Sequence, residues 1–219
     1  MTTRGVEIRR LGRMEYGAAL ALQEELRAAR LADRLPDQLL LVEHGPVYTL
    51  GRGADAADLR GADARLGVPV FRVSRGGGGT FHGPGQVIAY PIVKLCGADR
   101  DVHRYLRRLE DVIIGTCADF GVDAHRHPTA TGVWVGGQAK IASIGVGIRR
   151  WVTFHGLALN VSTDLRYFEA IVPCRMPGLR LTSLAEHCKP LPRLDDVAAA
   201  LGRRFQREFG DHRSEEVAA

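Results

Sequence analysis

Apolar positions recur along the chain in two periods, and the two alternate. Glu7 to Leu11 reads as a short strand. From Tyr16 to Leu35, Ala19, Leu20, Leu22, Leu26 and Ala29 recur at helical spacing, which predicts an amphipathic helix. Gln38 to Glu43 is a β-rich apolar run stopped by His44-Gly45-Pro46, and Val47 to Leu50 continues it after the turn. Val68 to Val73 predicts another strand, ending at a glycine run, and Gln86 to Leu95 a long apolar one. Asp99 or Asp101 can cap a helix to about Phe120, with Val102, Leu106, Leu109, Val112 and Ile113 as its apolar stripe. Gly132 to Val135 and Lys140 to Arg149 form a hairpin turning at Gly136-Gly137. Trp151 to Val161 is a strand, Leu165 to Ile171 a short helix and Asp195 to Phe209 a closing helix. Strands outnumber helices, and tight turns join several neighbours. The expected class is α+β, a mixed, mainly antiparallel sheet with packed helices.

Composition narrows the choice only a little. The 219 residues suit a single domain, 1–219, with no repeat or linker to divide it. No apolar run reaches the length of a membrane span, and the N-terminus lacks an apolar stretch with a small-residue cleavage site, so a cytoplasmic address is expected. The net charge of +5 is spread along the chain and aromatics make up only 6%, which argues against a nucleic-acid binder. An acidic protein partner suits the surface as well as solvent does. Cys96, Cys117, Cys174 and Cys188 lack metal-site spacing and read as free thiols. Neither a metal nor a cofactor is expected.

Three segments carry candidate chemistry. Arg75-Gly76-Gly77-Gly78-Gly79-Thr80-Phe81-His82, followed by Gly83-Pro84-Gly85-Gln86, comes directly after a strand. Its glycines let backbone approach a ligand, yet the segment is neither a P-loop nor a dinucleotide fingerprint. It is a hairpin connection or a binding wall, and its polar residues favour the wall. Pro173 breaks a helix just before Cys174, and Arg175 follows. An exposed thiol beside a cation is a candidate nucleophile, although most cysteines are small buried apolar residues. Lys140, between Ala139 and Ile141, is one of only three lysines in a chain that otherwise uses arginine. Desolvation would make it a base, whereas an edge-strand lysine would point to water. His155 reads as a core histidine bonded to backbone.

Taken together, these pieces resemble the lipoate-biosynthesis octanoyltransferases. Arg75 to Tyr90 matches the pattern R-G-G-x-x-T-aromatic-H-x-x-G-Q with a strand ending in Tyr. Val42-Glu43-His44-x-Pro46-Val47-Tyr48-Thr49 precedes it. Gly132 to Val135, Lys140 to Gly145, Phe154 to Asn160 and Pro173-Cys174 follow in order. The resemblance spans about residues 5 to 185 and implies a fold similar to the catalytic domain of biotin- and lipoate-protein ligases. It implies Cys174 as the acyl-thioester nucleophile and Lys140 as the partner that lowers its pKa. Arg75 to His82, Ser143, Ile144 and Gly145, and Gly156, Leu157 and Ala158 are then the acyl-binding residues. It further implies octanoyl-acyl-carrier protein as donor. The acceptors would be lipoyl domains of 2-oxoacid dehydrogenase complexes and the glycine-cleavage protein. No nucleic acid, membrane or cofactor takes part. A ligase that consumes ATP and a non-catalytic relative are the competing expectations.

Overall fold

A computed structural model of the chain describes residues 5–59, 67–172, 176 and 178–210. Pro173, Cys174 and Arg175 lie outside them.

The large sheet contains β1 (Glu7–Arg13), β2 (Gln38–Glu43), β6 (Gln86–Ile92), β7 (Ala124–His125), β8 (Val133–Val135), β9 (Ala139–Arg149) and β10 (Val152–Asn160). They lie in the order β1-β2-β6-β10-β9-β8-β7, and β11 (Arg180–Leu181) adds to β9. Only β1–β2 and β9–β11 are parallel within it. A smaller sheet, β4-β3-β5, pairs β3 (Val47–Leu50) with β4 (Val70–Arg72) and β5 (Gly79–His82). The α+β, mainly antiparallel expectation is therefore met, but by two sheets.

Side-chain alternation sends Leu39, Leu41, Val87, Ala89, Leu157 and Leu159 into a core with α2 (Val102–Ala118) and α3 (Leu194–Gly210). Leu40, Val42, Ile88, Tyr90 and Ala158 face α1 (Tyr16–Leu31) instead. Asp101 caps α2, accepting from the amides of His103 and Arg104 at 2.8 and 3.1 Å. The buried stripe of α2 starts at Tyr105, not at Val102, which is 39% exposed. Helix α1 stops four residues short of the expected end. Asp33 turns left-handed (φ 54°), and its carboxylate is taken by Arg30 and Lys94. Gly136 and Gly137 turn the β8–β9 hairpin with φ of 60° and 84°, as a tight hairpin turn requires.

Strand β6 ends early for a reason that shapes the site. Pro91 has no N–H to give the ladder. Strand β10 pairs with β6 only from Leu157 to Asn160, although it stays paired with β9 as far as Val152. Beyond Pro91, the Thr153 hydroxyl bridges the strands, donating to Pro91 O (2.8 Å) and accepting from Val93 N (2.9 Å). At Gly156 a Cβ would lie 2.1 Å from Ala89 O, so only glycine fits. Between these points His155 adopts φ 56°, and its amide donates to Gln23 Oε1 of α1 at 2.8 Å.

Candidate active site

Where β10 leaves β6, a cleft of about 50 Å³ opens between α1, the small sheet and the β9–β10 ladder. That is several times the room one water needs. Arg75, Gly77, Gly78, Gly79, Thr80 and His82 form one wall, Ser143, Ile144 and Gly145 a second, and Gly156, Leu157 and Ala158 a third. Three segments that the resemblance assigns to acyl binding thus meet at one cavity. Gly76 and Phe81 do not line it. Gly76 donates its amide to Val146 O (2.9 Å), and Phe81 turns away to stack on Tyr167 with ring centroids 4.5 Å apart. Tyr16, Tyr90 and His155 complete the lining. Tyr90 and His155 stood inside quoted motifs, but nothing in the local sequence marks Tyr16.

The glycine segment is braced rather than loose. Arg75 donates through Nη1 to Gly76 O and Gly78 O (3.0 and 2.9 Å), and through Nη2 to Thr49 O and Oγ1 (both 2.8 Å). A Cβ at Gly51 would lie 2.4 Å from Gly77 O, so the loop packs directly on backbone. Its last residues form β5, a strand the glycines hid from the hydrophobic pattern. Arg75 is the one formally charged residue among the described residues that line the cleft, and its guanidinium donates to carbonyls.

The histidines around the cleft are neutral near pH 7. His44 meets a carbonyl, Met14 O, through Nδ1 at 2.8 Å, so Nδ1 carries the proton and Nε2 accepts from the Tyr90 hydroxyl at 2.8 Å. His82 donates from Nδ1 to Gln86 Oε1 (3.1 Å). Gln86 in turn donates to Asn160 Oδ1 (2.9 Å), and Asn160 to Thr182 O (3.0 Å). Burial, reinforced by the positive field of His44 and Arg75, lowers His82 to about 3. Burial and Arg75 lower His155 to about 4, and burial also lowers His44. Burial pushes the Tyr16 phenol up to about 12. The His155 ring differs from the sequence expectation: its backbone is bonded, but its Nε2 is buried with no hydrogen-bond partner among the described residues.

Lys140 does not point to water. It is 2% exposed, and its Nζ stands 4.8 Å from the centre of the Trp134 ring, which attracts an ammonium. Gly132 presses against its stem, since a Cβ there would lie 2.6 Å from Lys140 Cε. Buried Glu110 holds the Gly132 amide at 3.0 Å and pairs with Arg107 and Arg126 at 2.7 and 3.2 Å. Strand β11 runs beside it, pairing Leu181 with Lys140, and Thr182 N donates to Lys140 O at 3.0 Å. Cys174, the expected nucleophile, lies outside the described residues. Among the other cysteines, burial raises Cys117 to about 12 and raises Cys188, which makes both poor nucleophiles.

Residues 15–206 match the model of the lipoyl protein ligase A/B catalytic domain. An octanoyltransferase of Geobacter metallireducens is 48% identical over 199 residues, covering 90% of this chain and 91% of that protein. One of Solibacter usitatus is 47% identical, with 92% of each chain covered. The chain belongs to the octanoyltransferases of the lipoyl protein ligase A/B family. Octanoyltransferases are acyltransferases, and this assignment agrees with the resemblance read from the motifs. The family's shape extends further than its sequence. A lipoate-protein ligase A bound with ATP superposes with a TM-score of 0.75 at 18% identity, covering 92% of this chain and 85% of that one. A bipartite lipoate protein ligase of Thermoplasma acidophilum gives 0.73 at 19%, covering 93% and 84%. The biotin protein ligase of Aquifex aeolicus gives 0.52 at 10%, covering 93% and 68%. At these identities the ligases share the fold alone. Among the described residues no helix is long and apolar enough to cross a membrane.

Proposed function

We propose that this octanoyltransferase moves an octanoyl group from acyl-carrier protein to a lysine of a lipoyl domain, through a thioester on Cys174. The observation that carries the reading is the meeting of the three motif segments at one cleft whose wall is neutral except for a carbonyl-bound arginine. Such a wall suits an uncharged acyl chain. Lys140, desolvated and two positions into β9, supplies a base, and β11 ties the chain that follows Cys174 to its side.

In the first half-reaction Lys140 takes the Cys174 proton and the thiolate attacks the donor's thioester carbonyl. The carrier sulfur leaves and takes that proton back as a thiol. In the second, the acceptor amine attacks the enzyme thioester, Lys140 receives the amine's proton, and Cys174 leaves as thiolate while the amide forms. One thioester replaces another, then an amide replaces a thioester, so no ATP is consumed. The enzyme works as a single catalytic domain in the cytoplasm. The acceptors are the lipoyl domains of 2-oxoacid dehydrogenase complexes and the glycine-cleavage protein.

Intact-mass measurement after mixing with octanoyl-acyl-carrier protein, without acceptor, tests the chemistry. One octanoyl adduct, lost on adding lipoyl domain and mapped to Cys174, is expected. Cys174→Ser should form none, and Lys140→Arg should form it at least ~100-fold more slowly, because arginine does not accept a proton near pH 7. Modification of the lipoyl domain by free octanoate with ATP, and not by the carrier thioester, would overturn the reading.

A further inference from the structure

Polar and apolar groups are segregated along the cleft. Ser143, Ile144 and Gly145 are half-buried and Gly77 is exposed, so the cleft opens between the glycine loop and β9. Its deep end is made of Tyr16, His82, Tyr90 and His155, which are 4%, 8%, 4% and 2% exposed. Ala158 lines the cleft opposite Ser143 in the ladder. Four register pairs of the β9–β10 ladder span the cleft, from Ser143 opposite Ala158 to Val146 opposite His155, a distance of about 10 Å. The Phe154 ring lies 4.8 Å from the imidazole and covers Gly147, where a Cβ would come within 2.5 Å of it.

We propose that His155 sets the upper limit on acyl length, as a specificity-determining residue at the deep end of the cleft. The inference rests on the acyl-transfer reading above and goes beyond it by assigning the limit to one side chain. Two effects compete at that ring. Each methylene taken out of water strengthens binding about fourfold. A methylene pushed against the buried ring must displace packed atoms, which weakens binding by about fivefold to more than a hundredfold. The second effect exceeds the first, so a chain gains by growing past Ala158 and stops gaining at His155. The ring is also fixed in place. Its backbone is held at φ 56° by the Gln23 hydrogen bond, and the side chain is packed against the Phe154 ring at 2% exposure.

The test compares kcat/KM for eight-, ten- and twelve-carbon acyl-carrier donors, with a lipoyl domain as acceptor, in the wild-type enzyme and two variants. His155→Gly removes the ring and suits the positive φ; His155→Asn also tolerates it, keeping a smaller polar group. The ten-to-eight-carbon ratio should rise about tenfold in His155→Gly and about threefold in His155→Asn, so either variant suffices if the other does not fold. An unchanged ratio in a folded variant overturns the proposal. An equal fall at all chain lengths also overturns it, and points to His155 acting on the thioester instead. Failure of the acyl-transfer reading is a separate result, because the wild-type enzyme would then transfer no chain from any carrier donor.

Discussion

On one face of the large sheet, α2 and α3 bury Leu109, Val112, Ile113, Val197, Leu201, Phe205 and Phe209 against Leu39, Leu41, Val87, Ala89, Leu157 and Leu159. On the other, α1 buries Tyr16, Ala19, Gln23, Leu26, Arg27 and Arg30, four of which carry polar atoms. That face is joined by bonds. Arg30 pairs with Asp37 at 2.6 Å, Gln23 accepts the His155 amide, and His44 links Met14 to Tyr90. The first face is closed mainly by apolar area, which is non-directional. The second is closed by directional bonds, which hold groups apart at fixed positions and leave a cleft between them. The cleft sits on the bonded face and the main core on the apolar one.

Truncation on the apolar face should give the largest stability change. Phe205, fully buried and stacked on Phe209 with centroids 4.4 Å apart, should cost about 3–5 kcal/mol as Phe205→Ala in urea unfolding. Transfer per folded molecule should be unchanged, because α3 contributes nothing to the cleft's lining. A loss under ~1 kcal/mol would break the comparison.

Acid should act on the bonded face alone. His82 and His155 are neutral in the folded protein, with pKa values near 3 and 4, and protonate near 6.5 when unfolded. Below pH 6.5 the unfolded chain therefore binds more protons, and stability falls with pH until the folded values are reached. The limiting slope is about 1.4 kcal/mol per pH unit for each histidine, and the two together should lose roughly 2 kcal/mol between pH 6 and 5. Urea unfolding at pH 7, 6 and 5 measures it. The Phe205 variant should keep the slope, and His155→Gly should lose about half of it.

The smallest effect is expected at the rim of the apolar face. Arg204 of α3 and Asp119 form an ion pair whose side chains are 34% and 31% exposed. Asp119→Ala should lower stability by less than about 1 kcal/mol, and less still in high salt. A larger loss in the same unfolding assay would mean that charge, and not burial, holds α2 to α3.

Much of this was legible in the sequence, because it depends on neighbours along the chain. Period and turn residues located most of the strands and all three α-helices, since local backbone preference and a repeating apolar face decide them. The glycine segment also stood out, because consecutive glycines after a strand are locally anomalous, whereas Ser143 to Gly145 and Gly156 to Ala158 were marked only by the resemblance of their motifs. What the sequence missed depends on contacts between distant segments. Strand β5 exists because β3 pairs with it, despite a glycine run with no strand pattern. Tyr16 reaches the cleft only because α1 packs over β10. Lys140 is buried because Gly132 and Trp134 close over it from the next strand, which no property of the residues beside it requires. His155 is the sharpest case. Its sequence neighbours suggest an ordinary core histidine, but Pro91 on a strand more than sixty positions earlier cannot donate to the ladder, so β10 lifts away there and Gln23 of α1 captures the freed amide. Local chemistry determined which segments could form a site; the absence of one N–H on a neighbouring strand decided where its deep end would be.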